Sequence, residues 1–103
     1  MMMASKYMYF ITCFSKFESE YLDNYRTFGY FSDLSMCIQA LNENRSDMNE
    51  AGYYTYAVIE EISEGIHSHA KQLAWFSWNE EEAGFFETEK PEWATGWYGF
   101  ALG

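Results

Sequence analysis

The sequence predicts an α+β domain in which an antiparallel or mixed sheet of four or five strands carries one main helix on one face. Three observations support this prediction. Several segments are rich in aromatic and β-branched residues, residues 32–44 form one amphipathic stretch, and residues 25–62 read as strand, helix and strand in that order. The chain of 103 residues has the length of one domain, and we expect residues 1–103 to form a single domain.

The first three predicted strands lie on either side of the helix. Residues 7–14 and 25–31 have strand composition, and Gly29 within the second is typical of a bulge or a close backbone approach. Residues 53–62, YYTYAVIEEI, carry apolar side chains on both alternating faces. This pattern indicates a central strand that is covered on both sides.

The last predicted strands form a hairpin. Residues 72–78 and 84–88 flank the segment NEEEA, which predicts a charged turn, and Pro91 ends the pattern. The remaining segment, EWATGWYGFALG, contains four large aromatic residues. We therefore expect it to pack back on the body of the domain.

The helix has a clear start signal in the sequence. Ser32 is suited to accept hydrogen bonds from the first turn, Asp33 lies where the helix dipole favours an anion, and Phe31 with Met36 fits a hydrophobic staple. One apolar stripe follows at helical spacing: Leu34, Cys37, Ile38 and Leu41. The expected core comprises Phe10, Phe28, Leu34, Cys37, Ile38, Leu41, Val58, Ile59, Trp75 and Phe86.

The aromatic content exceeds what one helix of about a dozen residues covers. The chain has nine Tyr, nine Phe and four Trp. The second half contains Trp75, Trp78, Phe85, Phe86, Trp93 and Trp97. We expect some of this aromatic surface to be exposed or buried against another chain.

Charge and composition exclude several classes of protein. Six Lys and Arg against sixteen Asp and Glu give a net charge of −10, which argues against direct binding to nucleic acid. No segment reaches about 18 apolar residues, so we expect no membrane span. Residues 7–14 resemble a weak signal peptide without a cleavage site, and a cytoplasmic location is expected. Cys13 and Cys37 are expected to stay reduced and buried.

The candidate catalytic and metal-binding residues favour structural interpretations. His67 and His69 form an H-x-H pair. A third ligand could come from Cys13 or Cys37, but nothing in the spacing demands it, so we predict no metal site and no cofactor. No signature of a nucleophile or a phosphate-binding loop is present. Glu60 and Glu61 face opposite ways on a strand, and partial burial of one would raise its pKa. We predict that the protein is not an enzyme.

The distribution of charge suggests a function. Residues 1–52 carry a net charge of −3, and residues 53–103 carry −7. Carboxylates at the hairpin tip and beyond it could imitate a row of phosphates, with aromatic side chains as apolar anchors. A plain solubilising surface is the alternative. The predicted partner-binding residues are Glu80, Glu81, Glu82, Glu87, Glu89, Trp78 and Phe85.

Four phrases of the sequence carry a resemblance. TFGYFSDL, YYTYAVIEEISEGI, EKPEW and the closing GFALG resemble a group of small uncharacterised proteins of Gram-positive bacteria and their phages. In size and charge the chain also resembles anti-CRISPR proteins, the phage-encoded inhibitors of bacterial defence. That resemblance implies binding to a basic nucleic-acid-processing protein such as a Cas nuclease, in the cytoplasm of the host cell.

Two other functions remain open at this point. One is a non-enzymatic adaptor, or a homodimer that associates through a self-complementary aromatic face. The other is a sponge for nucleotide signals, for which Arg45, Lys71 and Lys90 would have to converge.

Overall fold

The described residues form a five-stranded sheet that is antiparallel throughout. The computed structural model describes residues 7–15, 24–64, 71–95 and 100–101. The strands are β1 (Tyr7–Ser15), β2 (Asn24–Phe31), β3 (Tyr56–Ser63), β4 (Lys71–Asn79) and β5 (Gly84–Thr88). Their order across the sheet is β2-β1-β3-β4-β5. The prediction of an α+β fold with one main helix is confirmed.

β3 is the central strand, and its side chains are buried on both faces of the sheet. Ala57 and Ile59 pack on one face, and Val58 packs on the other. The strand begins at Tyr56, later than the predicted start at residue 53, because Tyr54 belongs to the preceding connection. There the Asn49 side-chain amide donates to the backbone carbonyl of Tyr54.

The bulge expected near Gly29 is present in β2. Ile11 of β1 pairs with Gly29, whereas the next residue, Thr12, pairs with Thr27, so Phe28 is the extra residue. Thr12 and Thr27 share a hydrogen bond between their hydroxyl groups, 2.9 Å apart.

The helix α1 (Leu34–Asn42) begins later than its predicted first residue. Asp33, rather than Ser32, is the N-cap, and its carboxylate accepts from the backbone N–H of Ser35 at 2.8 Å. The predicted staple is wrong, because Met36 is one of the exposed large apolar side chains. The predicted apolar stripe is confirmed, since all four of its members pack in the core on this face of the sheet.

We call the side of the sheet that α1 covers the helix face. Its core joins Cys37, Ala40 and Leu41 of α1 to Ile11, Ile59 and Phe76 of the sheet. Gly84 marks the closest approach, since a Cβ atom there would overlap the backbone carbonyl of Asn42 at the end of α1. Both cysteines lie in this core and are free, and burial raises the pKa of Cys13 to about 12 and that of Cys37 to about 11.

The opposite side is covered by the C-terminal segment, which we call the strap (residues 92–95 and 100–101 among those described). A short 3-10 helix, Glu92–Ala94, begins it. Ala94 and Phe100 are buried against Phe14, Val58 and Trp75, so the prediction that this segment packs on the body is confirmed for its described residues. We call this side the strap face.

Most of the predicted core is confirmed. Cys37, Leu41, Val58, Ile59 and Trp75 are buried. Three others are partly buried against the helix-face core, namely Phe28, Leu34 and Ile38, and two are half-buried, namely Phe10 and Phe86.

The expectation that part of the aromatic surface is exposed is confirmed by four tyrosines, one of them in the second half, whereas the five described Trp and Phe residues named for the second half are buried or half-buried. Trp75 and Phe85 are buried, and Trp78, Phe86 and Trp93 are half-buried, because these rings fill the two faces of the sheet. Trp97 lies outside the described residues. The exposed large apolar side chains among the described residues are Tyr7, Tyr25, Tyr30, Met36 and Tyr53.

Among the described residues, no helix is both long enough and apolar enough to cross a membrane.

Candidate functional site

The turn between β4 and β5 exposes three glutamates to solvent. The Asn79 side chain accepts from the backbone N–H of Glu82 at 3.0 Å, and Ala83 adopts a left-handed conformation with φ 54°. These features close the turn between Asn79 and Gly84, which are directly paired. The side chains of Glu80, Glu81 and Glu82 are left exposed at the tip.

Trp78 connects this turn to the helix-face core. Its ring is half-buried, lies 5.2 Å from the ring of Phe85, and meets it edge to face. Its indole Nε1 donates to a carboxylate oxygen of Glu80 at 2.6 Å. A hydrogen bond to an ionised acceptor is stronger than a neutral one. The indole therefore holds the first carboxylate of the tip beside an aromatic surface.

The negative charge continues on β5 and in the segment that follows it. Glu87 on the edge strand β5, and Glu89 and Glu92 beyond it, are exposed. Residues 80–92 carry six carboxylates and one cation, Lys90, whose ammonium lies 5.9 Å from the centre of the Trp75 ring on the strap face. We call Glu80, Glu81, Glu82, Glu87, Glu89 and Glu92 together the acidic edge.

The predicted contact residues differ in how much of each side chain is exposed to solvent. The five predicted glutamates are exposed, and Trp78 keeps part of its ring accessible. Phe85 is 0% exposed in the helix-face core, so its prediction as a contact residue is wrong. Phe85 pairs with Trp78 across the hairpin, and the pleat points both rings toward the helix face, whereas Phe86 points to the other face.

A second unusual carboxylate lies in the middle of the sheet. Glu60 of β3 is 0% exposed, and its two oxygens accept from the backbone N–H groups of Phe100 at 3.0 Å and Ala101 at 2.9 Å. Burial raises the pKa of this carboxyl above its ordinary value, and the hydrogen bonds from Ala101 and Phe100 oppose part of that rise. The prediction that one of Glu60 and Glu61 is buried with a raised pKa is confirmed for Glu60.

The other candidate sites do not assemble in the described part of the chain. His67 and His69 lie outside the described residues, and no group of three potential metal ligands occurs within them. Arg45 lines a shallow cleft on the helix face together with Ile11 and Phe28, while Lys90 lies over Trp75 on the strap face. Two of the three cations required for a nucleotide site therefore lie on opposite faces of the sheet.

No protein-family model, curated protein or solved structure matches this chain. The resemblance to small phage and Gram-positive proteins thus stays a prediction. What supports a function is the geometry of the acidic edge.

Proposed function

We propose that this protein is a non-enzymatic inhibitor that binds a basic nucleic-acid-processing protein, such as a Cas nuclease, in the groove that normally receives nucleic acid. The observation that carries the proposal is the acidic edge. Three of its exposed carboxylates lie on the turn, one lies on β5 and two follow β5, and Trp78 lies beside the first of them. In a phage infection this complex would form in the cytoplasm of the host.

The electrostatics of the acidic edge suit such a partner. A single-sign surface is attracted to an oppositely charged groove over a range that salt shortens, and this attraction speeds association. Charge alone adds less to affinity than buried apolar contacts do. The accessible part of Trp78 supplies an apolar contact at the base of the turn.

The hairpin is also suited to its role as a rigid projection. Asn79 closes the turn, and Phe85 anchors β5 in the helix-face core. Because the turn is held by the body of the domain, the backbone that carries the carboxylates does not lose much conformational freedom when a partner binds.

Charge reversal at the tip tests the proposal. The partner is first captured with tagged protein from lysates of candidate host bacteria at low salt, and is then purified for titration at several salt concentrations. Changing Glu80, Glu81 and Glu82 to Lys should weaken binding at low salt by tenfold or more and flatten its salt dependence.

The matched control reverses three other exposed glutamates, Glu43, Glu50 and Glu64, to Lys. Both triple variants bring the net charge from −10 to −4. If the two variants bind equally, only total charge matters and the role of the tip is refuted. If neither variant loses affinity, the imitation of nucleic acid is refuted altogether.

The edge strand β2 favours a second candidate function, self-association. Residues 24–32 contain no carboxylate, and Tyr25 and Tyr30 are among the exposed aromatic side chains of β2. An edge strand presents unpaired backbone groups to another strand. Sedimentation at low and high salt separates the two candidates, since a dimer that resists salt would support self-association and a monomer would count against it.

A further inference from the structure

The cleft on the helix face combines an apolar lining with a cation at its rim. It has a volume of about 130 Å³ and is open to solvent. Its apolar lining residues are Ile11, Ala40 and Met48, which are buried, and Phe28 and Phe31, which are half-buried. The two polar side chains of the lining, Arg45 and Ser46, are adjacent in the chain and exposed, so polar groups enter the cleft from one side.

The space in the cleft exists because position 29 of β2 has no side chain. Gly29 pairs directly with Ile11 of β1, and directly opposed residues of neighbouring strands point to the same face of a sheet. A Cβ atom at Gly29 would meet nothing within 4 Å. Position 29 therefore borders open space beside Ile11, on the face that α1 covers elsewhere.

The connection that follows α1 forms another wall of the cleft and is held in an uncommon conformation. Asn44 and Ser46 are left-handed, with φ 50° and 58°, a conformation that is costly for residues other than glycine. The Asn44 side chain accepts from the backbone N–H of Asn49 at 2.9 Å and so fixes the segment between them. The wall that carries Arg45 and Met48 is thus preorganised, which lowers the entropic cost of binding a ligand.

The charge at the rim suits a singly charged anion. Arg45 donates to Glu43 at 2.7 Å, but both side chains are about half exposed, and such ion pairs contribute little to stability. A guanidinium has five N–H donors, so Arg45 retains donors for a second carboxylate. The other arginine of the chain, Arg26, lies 4.6 Å from the centre of the Phe28 ring. A dianion is disfavoured, because Glu43 lies beside Arg45 and the chain carries a net charge of −10.

The size and the lining of the cleft suit one aromatic ring. An apolar protein cavity of roughly 150 Å³ holds benzene, and aromatic rings and thioethers make favourable contacts with a bound ring. We propose that this cleft binds a small aromatic monocarboxylate, with its ring against Phe28 and Met48 and its carboxylate at Arg45. This inference goes beyond the proposed function and is independent of the acidic edge.

A titration of the full chain with phenylacetate, followed by NMR, tests the proposal. The methyl resonances of Ile11 and Met48 and the amide resonance of Gly29 should shift together and saturate. Saturation is expected at millimolar concentrations, since phenylacetate has only about ten non-hydrogen atoms. Phenylacetamide, which lacks the charge, should bind about fivefold more weakly or less. Acetate, which lacks the ring, should not saturate these shifts in the same range.

Filling the cleft is the first variant. Gly29→Val places a β-branched side chain, which a strand accommodates well, in the open space beside Ile11. It should weaken phenylacetate binding by about tenfold or more. Tyr30→Val is the matched control on the next residue of β2, which pairs with Phe10 and packs against its ring on the strap face. It should leave binding unchanged.

Removing the charge at the rim is the second variant. Arg45→Met keeps an unbranched apolar side chain in the lining and removes the guanidinium, so phenylacetate should then bind as weakly as phenylacetamide does. Lys71→Met on β4 removes the same charge away from the cleft and should leave binding unchanged. This variant decides the question if Gly29→Val does not fold.

Three results would overturn the proposal. One is the absence of saturable shifts at the cleft resonances. Another is a folded Gly29→Val or Arg45→Met variant that binds phenylacetate as tightly as the wild type does. The third is phenylacetamide that binds the wild type as tightly as phenylacetate, because the carboxylate would then have no role at Arg45.

Discussion

The two faces of the sheet are covered in different ways. The helix face is closed by α1, whose backbone hydrogen bonds are internal and whose buried side chains, Cys37, Ala40 and Leu41, are small or aliphatic. The strap face is closed by a segment whose described residues contain one short 3-10 helix and which brings Phe100 among other rings. Only the strap face, among the described residues, buries a carboxylate, that of Glu60.

The difference shows how a short chain covers two faces with one helix. A helix forms most of its backbone hydrogen bonds internally and needs only an apolar stripe. It therefore covers a face without burying many unpaired backbone groups. An irregular segment must find partners for its backbone groups elsewhere. Glu60 provides such partners for the backbone N–H groups of Phe100 and Ala101. The cover of the strap face therefore depends on one side chain of the sheet, whereas α1 does not.

The largest expected effect comes from opening a cavity on the helix face. Leu41→Ala should lower the free energy of unfolding by about 3 kcal/mol, because Leu41 is fully buried between α1 and the sheet. Denaturant unfolding measures this loss. Met36→Ala, on the exposed side of the same helix, should change stability little, and an equal loss in both variants would contradict the assignment of the buried stripe.

A smaller effect is expected where α1 meets the edge strand. Gly84→Ala should lower the free energy of unfolding by about 2 kcal/mol, since the new methyl group would overlap the backbone carbonyl of Asn42 and force α1 and β5 apart. Gly29→Ala is the control, because a Cβ atom there meets nothing within 4 Å. Thermal or denaturant unfolding of both variants tests this close approach, and an unchanged Gly84→Ala variant would refute it.

The smallest expected effect is a pH dependence of the strap face. The raised pKa of Glu60 means that the folded state binds its proton more tightly than the unfolded state does. The contribution of Glu60 to stability is therefore fully present below its ordinary pKa of 4.5 and is lost as the pH rises through the folded pKa.

The measurement is the difference in unfolding free energy between wild type and Glu60→Gln from pH 4 to pH 7. As the pH rises, the unfolding free energy of the wild type should fall relative to that of Glu60→Gln. Groups whose pKa is lowered, such as Asp33 and Glu43, act oppositely but are common to both proteins and cancel. A difference that is constant with pH would contradict the raised pKa of Glu60.

Local patterns in the sequence were sufficient to predict the elements. The alternation in residues 53–62 predicted a central strand, and NEEEA between two apolar segments predicted the hairpin that the structure contains. The three exposed carboxylates at the tip follow from that turn. These features depend on neighbours within a few residues, so composition and periodicity are enough to predict them.

Predictions that depended on distant partners were less successful. Phe85 and Phe86 are adjacent and equally apolar. Phe85 was predicted to contact a partner and Phe86 to be buried, whereas Phe85 is buried and Phe86 is half-buried. The pairing of β5 with β4 and the approach of α1 at Gly84 decided which of the two is buried. The N-cap at Asp33 rather than Ser32 likewise depended on where the chain leaves β2. A shift of one residue reverses which side of a strand is buried, and the register is set across strands rather than along one.

The amino-acid order alone thus specifies five strand segments, one amphipathic helix and a charged turn, because each follows from contacts between near neighbours. The burial of Glu60 beneath residues 100 and 101 is different in kind, since about forty residues separate the carboxylate from the N–H groups it binds. No local pattern encodes that contact. It arises because a second apolar face of the sheet requires a cover, and the folded chain brings its last described residues to that face.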